Sequence, residues 1–245
     1  VVVPHSVEHV DTGFDIAGSL LSIVAVGGLV LAIHEGPEQG WTAPITIVAA
    51  AAGLLGAAAF IVVELRREHP LLDVRIFAIR GLAAGSVNLF VVFAVMFSMF
   101  LVLVQYLQAV LGYSALRAAT GLLPMAAVMM PLSTIAPTIA ERIGFRRTLV
   151  TGMLAMAAGL GLFAVMADPT GGYLSVLPGV LILGAGVGLA MSPSTAAITS
   201  SLPEEKQGVA SALNDTVREM GGAVGIALIG SVLNAAYRSN IEPDL

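Results

Sequence analysis

Long apolar stretches alternate with short polar connections along the whole chain. Seven apolar segments stand out, at about Phe14 to Ile33, Pro44 to Val63, Leu82 to Leu111, Leu116 to Ala140, Thr148 to Ala167, Tyr173 to Ser200 and Gln207 to Ala236. Each reaches or exceeds the roughly 20 apolar residues needed to cross a bilayer as a helix. They are too long and too continuously apolar for barrel strands, and lipid offers no partner for unpaired backbone groups, so the pattern predicts helices. The predicted fold class is all-α, a polytopic transmembrane bundle of about seven spans. The third segment is long enough to tilt or to extend past the bilayer, and the seventh is less apolar at its start. Turn-forming residues mark the connections at His34 to Gly40, Gly112-Tyr113-Ser114 and Asp168 to Gly172. The expected organisation is a cytoplasmic linker (1–13), two spans (14–63), the longest polar connection (64–81), five further spans (82–236) and an outer loop or tail (237–245).

Composition reinforces this reading. Of 245 residues, 57% are hydrophobic and 11% charged, against about 25% charged in soluble domains. Disorder, nucleic-acid binding and an ordinary cytosolic enzyme are excluded, and no catalytic function is expected. The net charge of −5 offers no patch for a phosphate backbone. The absence of cysteine excludes disulfides, thiolate zinc sites and cysteine nucleophiles. The chain begins with Val1-Val2-Val3, without a basic region before an apolar run, which predicts no signal peptide and a start cut from something longer. Basic residues set the orientation. Arg66, Arg67, Arg75, Arg80, Arg142, Arg146, Arg147 and Lys206 fall on one side and Arg117 and Arg238 on the other, so the first set is expected in the cytoplasm. Trp41 is expected in an outer loop at interface depth.

Several motifs carry candidate chemistry. His5-Ser6-Val7-Glu8-His9 spells a zinc-peptidase pattern, but that chemistry needs a helix and a third ligand; the better reading is a polar linker before the first span, and no metal site is expected. Gly184-Ala185-Gly186-Val187-Gly188 is neither a dinucleotide nor a P-loop sequence and lies within an apolar span. Gly184 with Gly188, and Gly221 with Gly225, have the spacing of close helix packing. No ATP site or other cofactor is expected. The seventh span carries Asn214, Asp215, Arg218 and Glu219, eight to thirteen residues beyond Lys206, or roughly 12–20 Å along a helix. Charges at such depth are costly. Asp215 and Asn214 lie three and four residues before Arg218, so both are expected to meet it on one face. A proton or substrate site, a self-neutralised structural pair and a helix start below the bilayer all fit. Phe93, Met96, Phe97, Met99 and Phe100 in the third span, with Met125, Met129 and Met130 in the fourth, suit a wall for varied apolar ligands or plain core filling. Gln105 and Gln108 are polar in the outer part of the third span. Pro124, Pro131 and Pro137 predict a kink in the fourth, and Asp15 a helix N-terminus.

The stretch Ile139-Ala140-Glu141-Arg142-Ile143-Gly144-Phe145-Arg146-Arg147 resembles the cytoplasmic loop signature of the major facilitator superfamily, G-x-L-A-D-R-x-G-R-[KR]. Pro137 stands at the first Gly and Phe145 at the first Arg. Phe14 to Gly18, His69 to Asp73, Gln105 to Ser114 and Gly208 to Arg218 are similar to one branch, the fourteen-span drug–proton antiporters. The resemblance implies spans seven to thirteen of fourteen: an inserted central pair, then five spans of the second bundle. An N-terminal bundle and a final span would be its missing partners.

The resemblance further implies proton-coupled efflux of lipophilic, often cationic compounds by alternating access from a bacterial cytoplasmic membrane. Gln105, Asn214, Asp215, Arg218 and Glu219 would line the substrate and proton pathway. Glu141, Arg142, Gly144 and Arg146 would form the cytoplasmic gate loop. Two alternatives stay open at this point: a membrane fragment that moves nothing, and a carrier of the same superfamily for a nutrient or metabolite. The expected surroundings are the lipid bilayer, a small lipophilic substrate and protons, with no nucleic acid.

Overall fold

The computed structural model describes residues 15–67 and 73–241; the His5–His9 motif lies outside them. Eight α-helices follow one another: α1 (Ile16–Gln39), α2 (Pro44–Arg66), α3 (Arg80–Gln105), α4 (Ala115–Thr120), α5 (Leu123–Ile143), α6 (Phe145–Met166), α7 (Tyr173–Ser200) and α8 (Gln207–Ile241). No strand occurs among the described residues. Taking α4 and α5 as one span, seven helical segments among the described residues are long and apolar enough to cross a membrane.

Local chemistry sets several ends. Asp15 caps α1 by accepting a 2.7 Å bond from the Gly18 amide, and Pro44 sits in the first turn of α2, where a missing N–H costs nothing. Asp73 and Ser114 cap a 3₁₀ turn (Val74–Ala78) and α4 in the same manner. Helical structure runs further than hydropathy alone predicts. α1 continues through His34–Gln39, read above as a connection, and α8 reaches Ile241, into the stretch read as a tail. Backbone bonding continues past the apolar stretch because side-chain polarity at a helix end does not interrupt the ladder.

Two spans depart from simple helices. The third leaves α-geometry after Gln105 and makes a π-helical turn at Tyr106–Val110. The fourth breaks at Gly121-Leu122, ahead of all three prolines. Pro124 then occupies the first turn of α5, while Pro131 and Pro137 lie inside it. Pro124 has no N–H to offer the carbonyl of Thr120 and its ring crowds that group, so α4 ends at Thr120.

α7 is the central helix, packed between α3, α5 and α6. α8 packs on α3 and α1, and α2 packs on α1. Val176, Val180, Leu183, Val187 and Ile198 of α7 are fully buried, alongside Leu89, Val92 and Leu103 of α3. Gly184 and Gly188 face α5: an added Cβ would lie 2.8 Å from the Met125 carbonyl oxygen and 2.7 Å from that of Met129. Gly179 and Gly186 face the opposite way, onto α6, where an added Cβ would lie 2.7 Å from the Phe163 nitrogen and 2.6 Å from the Met156 nitrogen. The glycine run thus serves two seams, because residues two apart on a helix point about 200° apart.

Candidate functional site

The loop that carries the family-like signature is a single residue. α5 ends at Ile143 and α6 begins at Phe145, with Gly144 between them at φ 97°. That backbone region strains every residue with a Cβ, so the tight connection explains the glycine. Glu141, Arg142, Arg146 and Arg147 are exposed. The ion pairs of the described residues lie elsewhere, at His34–Glu35, Arg67–Asp15 and Arg218–Asp215. These four charges therefore form no ion pair among the described residues. Glu141 lines a 410 Å³ recess shared with Gly81 at the start of α3 and Ser200 and Ser201 at the end of α7.

On α8, Gly221 and Gly225 meet α3 so closely that an added Cβ would collide with the carbonyl oxygens of Phe90 and Ala94. Ser98 reinforces the seam, donating to the Gly225 carbonyl at 2.7 Å. With that face taken, the charged residues fall on the flank. Asp215 and Glu219 are exposed and Arg218 is half-buried. Arg218 Nη1 stands 3.7 Å from Asp215 Oδ1, and its guanidinium lies 4.6 Å over the Phe93 ring of α3. Asn214 is buried and its Oδ1 has no hydrogen-bond partner. The expected meeting of Asn214 with Arg218 does not occur; only Asp215 reaches the arginine. Gln105 is exposed at the end of α3, twelve residues beyond Phe93 and so about 18 Å along the helix. It is not brought to the charged cluster.

An apolar pocket of 280 Å³ opens between α3 and α5, lined by Met96, Phe97, Met99, Phe100, Met125 and Met129 among others. Thioether and phenyl groups from two helices converge here, as the sequence suggested they could, while Met130 stays outside the lining. Phe97 joins the pocket to the charged cluster. Its ring centroid lies 6.2 Å from that of Phe93, beneath Arg218. Gly222, one turn beyond Arg218, leaves room for the Phe97 ring; an added Cβ would come within 3.2 Å of it. The arrangement offers a polarizable apolar surface with the Arg218–Asp215 pair at one margin.

Two polar features escaped the sequence reading. Asn88 of α3 is buried and donates to Ser194 Oγ of α7 at 2.5 Å, tying the two central helices. Tyr106 packs edge-on against Phe163 at 5.8 Å, with its hydroxyl buried and unpartnered. Asn88 stands in no motif, and Tyr106 lies within the Gln105–Ser114 stretch without being singled out there; the contacts of each became visible only when its helix acquired a neighbour.

The sequence profile of the Major Facilitator Superfamily matches residues 10–226. The chain belongs to the major facilitator superfamily. Among its relatives in that family, Multidrug resistance protein Stp of Mycobacterium tuberculosis is 34% identical over 232 residues, covering 95% of this chain and 43% of Stp. The Multidrug resistance protein B homolog of the same species is 30% identical over 240 residues, covering 97% of this chain and 44% of that protein. Multidrug efflux pump LfrA of Mycolicibacterium smegmatis is 29% identical over 241 residues, covering 98% and 47%. The chain thus spans less than half the length of these superfamily relatives. Seven spanning helices and this family membership make it a multi-pass bacterial membrane protein.

Proposed function

We propose that the chain forms part of a proton-coupled multidrug efflux carrier that exports lipophilic, often cationic compounds by alternating access. The observation that carries the reading is the α3/α5 pocket of Met and Phe side chains, continued through Phe97 and Phe93 to Arg218. Flexible thioethers adapt to ligands of varied shape, and aromatic faces attract cations. Arg218 occupies the face of Phe93 in this state. Binding of a proton to Asp215 would remove the carboxylate that faces Arg218, freeing the guanidinium to move and altering the charge beside the pocket. Glu219 supplies a second carboxylate one turn further on.

A full carrier of this family would close two bundles around a site near the membrane midplane. In this reading α3, α5, α7 and α8 supply one wall, and an N-terminal bundle and a final span supply the rest. The exposed charges of Glu141, Arg142 and Arg146 would pair with that other bundle at the cytoplasmic gate, consistent with their having no ion-pair partner in the described chain. The chain works as a carrier component and not as an enzyme.

The test is proton-gradient-dependent export of a fluorescent lipophilic cation by the complete protein. Phe97→Ala and Met125→Ala should weaken export of bulky substrates more than small ones, and Arg218→Ala should reduce export of both. Unchanged export in all three well-expressed variants would defeat this assignment of the site. Uptake of a polar nutrient in place of cation export would establish a different cargo.

A further inference from the structure

A second apolar cavity, 480 Å³ in volume, lies between the α1/α2 pair and the α3/α8 face. Ala57 and Phe60 of α2, Phe77 of the 3₁₀ turn, Val87 and Phe90 of α3 and Val217 of α8 are among its walls. Ser86 of α3 also lines it, and its hydroxyl is buried without a hydrogen-bond partner. A lone hydroxyl in an otherwise apolar cleft is costly unless something it can bond to enters.

Three arginines that do not themselves line the cavity stand close in sequence to its walls at one end. Ile61 lines the cavity and Leu65, one turn later, accepts a 2.8 Å bond from Arg75 Nη2. Arg75 stands two residues before Phe77, Arg66 follows Leu65, and Arg80 begins the helix that carries Ser86. Arg66, Arg75 and Arg80 are exposed and make no ion pair among the described residues. Among the described residues the nearby acids form no ion pair with these arginines. Asp15 is paired with Arg67 at 2.6 Å, Glu64 is buried, and the Asp73 carboxylate accepts from the Arg75 amide. Ser86 lies six residues into α3 from Arg80, about 9 Å deeper along the helix.

We propose that this cavity binds one anionic phospholipid of the cytoplasmic leaflet. An acyl chain fills the apolar cleft, the Ser86 hydroxyl donates to the acyl ester carbonyl, and Arg66, Arg75 and Arg80 hold the phosphate. Basic pockets between spans on the cytoplasmic side suit such headgroups, and long arginine side chains reach the headgroup level from a helix end. The basic rim selects this occupant over a lipophilic cation, which three unpaired guanidinium groups would repel. The lipid would then fasten the α1/α2 pair to the bundle through a contact that protein atoms leave open. The inference rests on the orientation given by the basic residues, and it is independent of the α3/α5 pocket.

The experiment uses the complete purified protein, delipidated and titrated with phosphatidylglycerol or phosphatidylcholine, with retained lipid counted by native mass spectrometry. One phosphatidylglycerol should persist under conditions that strip phosphatidylcholine. The triple change Arg66→Gln, Arg75→Gln, Arg80→Gln should lower its retention roughly tenfold or more, and Ser86→Ala should lower it by a smaller factor. Arg147→Gln, an equally exposed cation at the Gly144 loop, should leave it unchanged. Should the triple variant not elute as a single species, Ala57→Phe decides the question, since it fills the cleft and keeps every charge. Equal retention of the two lipids, loss in Arg147→Gln matching the triple variant, or full retention in Ala57→Phe would overturn the proposal. So would displacement by glycerol phosphate, which lacks an acyl chain, or by tetraphenylphosphonium, which would mark a cation site.

Discussion

α7 and α8 are both glycine-bearing spans, yet the protein uses them in opposite ways. α7 is enclosed by α3, α5 and α6, carries no charged residue and spends its glycines on two seams. α8 gives one glycine face to α3 and leaves Asp215, Arg218 and Glu219 on an open flank. Close packing on every side fixes a helix, because a tightly filled interior has few alternative arrangements. A helix packed on α3 and α1 but open elsewhere can present chemistry to something else. The difference between them separates an enclosed helix from one that keeps an open, charged flank within one bundle.

The enclosed half of that contrast predicts the largest effect. Gly186→Leu should severely impair folding, because the new side chain meets the Gly152 carbonyl and the Met156 backbone, and overpacking typically costs about 1–3 kcal/mol, more where backbone must move. Gly161→Leu, where nothing lies within 4 Å of an added Cβ, should express normally. Equal yields of the two variants by fluorescence-detected size-exclusion chromatography would contradict the α6/α7 seam.

The open surface predicts dependence on partners. Residues 1–245 expressed alone should show no uncoupler-sensitive export of a lipophilic cation, and co-expression with the remaining spans of the carrier should restore part of it. Robust export by 1–245 alone would make the exposed flank of α8 self-sufficient and erase the distinction from α7.

Arg218→Ala should impair export by the complete carrier far more than Arg238→Ala. The structure sharpens what kind of defect to expect. Arg218 is half-buried and its carboxylate partner is exposed, so the pair contributes at most about 1 kcal/mol to stability. The melting temperature should therefore barely move while transport falls. A large loss of stability would show that the cluster is structural instead.

Orientation can be tested without disturbing the fold, since the chain has no cysteine of its own. Glu141→Cys and Pro169→Cys should label from opposite faces of the membrane. Labelling from the same face would break the assignment of inner and outer ends on which the lipid inference depends.

The smallest effect belongs to Asp168 in the α6–α7 connection. Bonds donated by the Thr170 hydroxyl, at 2.6 Å, and by its amide, at 2.9 Å, favour the ionised carboxylate, which lies below the ordinary aspartate range in consequence. A depressed value stabilises the fold above the unfolded aspartate's titration range, and the contribution is lost as pH falls through the folded one. Asp168→Ala should lower the melting temperature slightly near neutral pH and not at all in strong acid. A constant difference across that range would show the carboxylate to be irrelevant.

The number of spans, their helical nature and the loop at Gly144 were all legible in the order of residues. Each follows from a local demand: lipid forces backbone groups to pair within a segment, and a one-residue connection at positive φ admits glycine. That order also placed Asp215 within reach of Arg218, because three residues along a helix is a fixed geometry. Tertiary structure alone decided which partner each face would meet. Gly179 and Gly186 are seven apart and join Gly152 and Gly159, themselves seven apart, into a seam with no short-spaced motif to announce it. Arg218 took the ring of Phe93 and left Asn214 buried, because α3 occupies one side of α8. Ser86 and Asn88 are both small polar residues two apart on one helix, yet one found Ser194 and the other an apolar cleft. Hydropathy records how a segment meets lipid, but the choice among neighbouring helices depends on crossing geometry and side-chain fit between residues far apart in the chain, which a one-dimensional pattern does not contain.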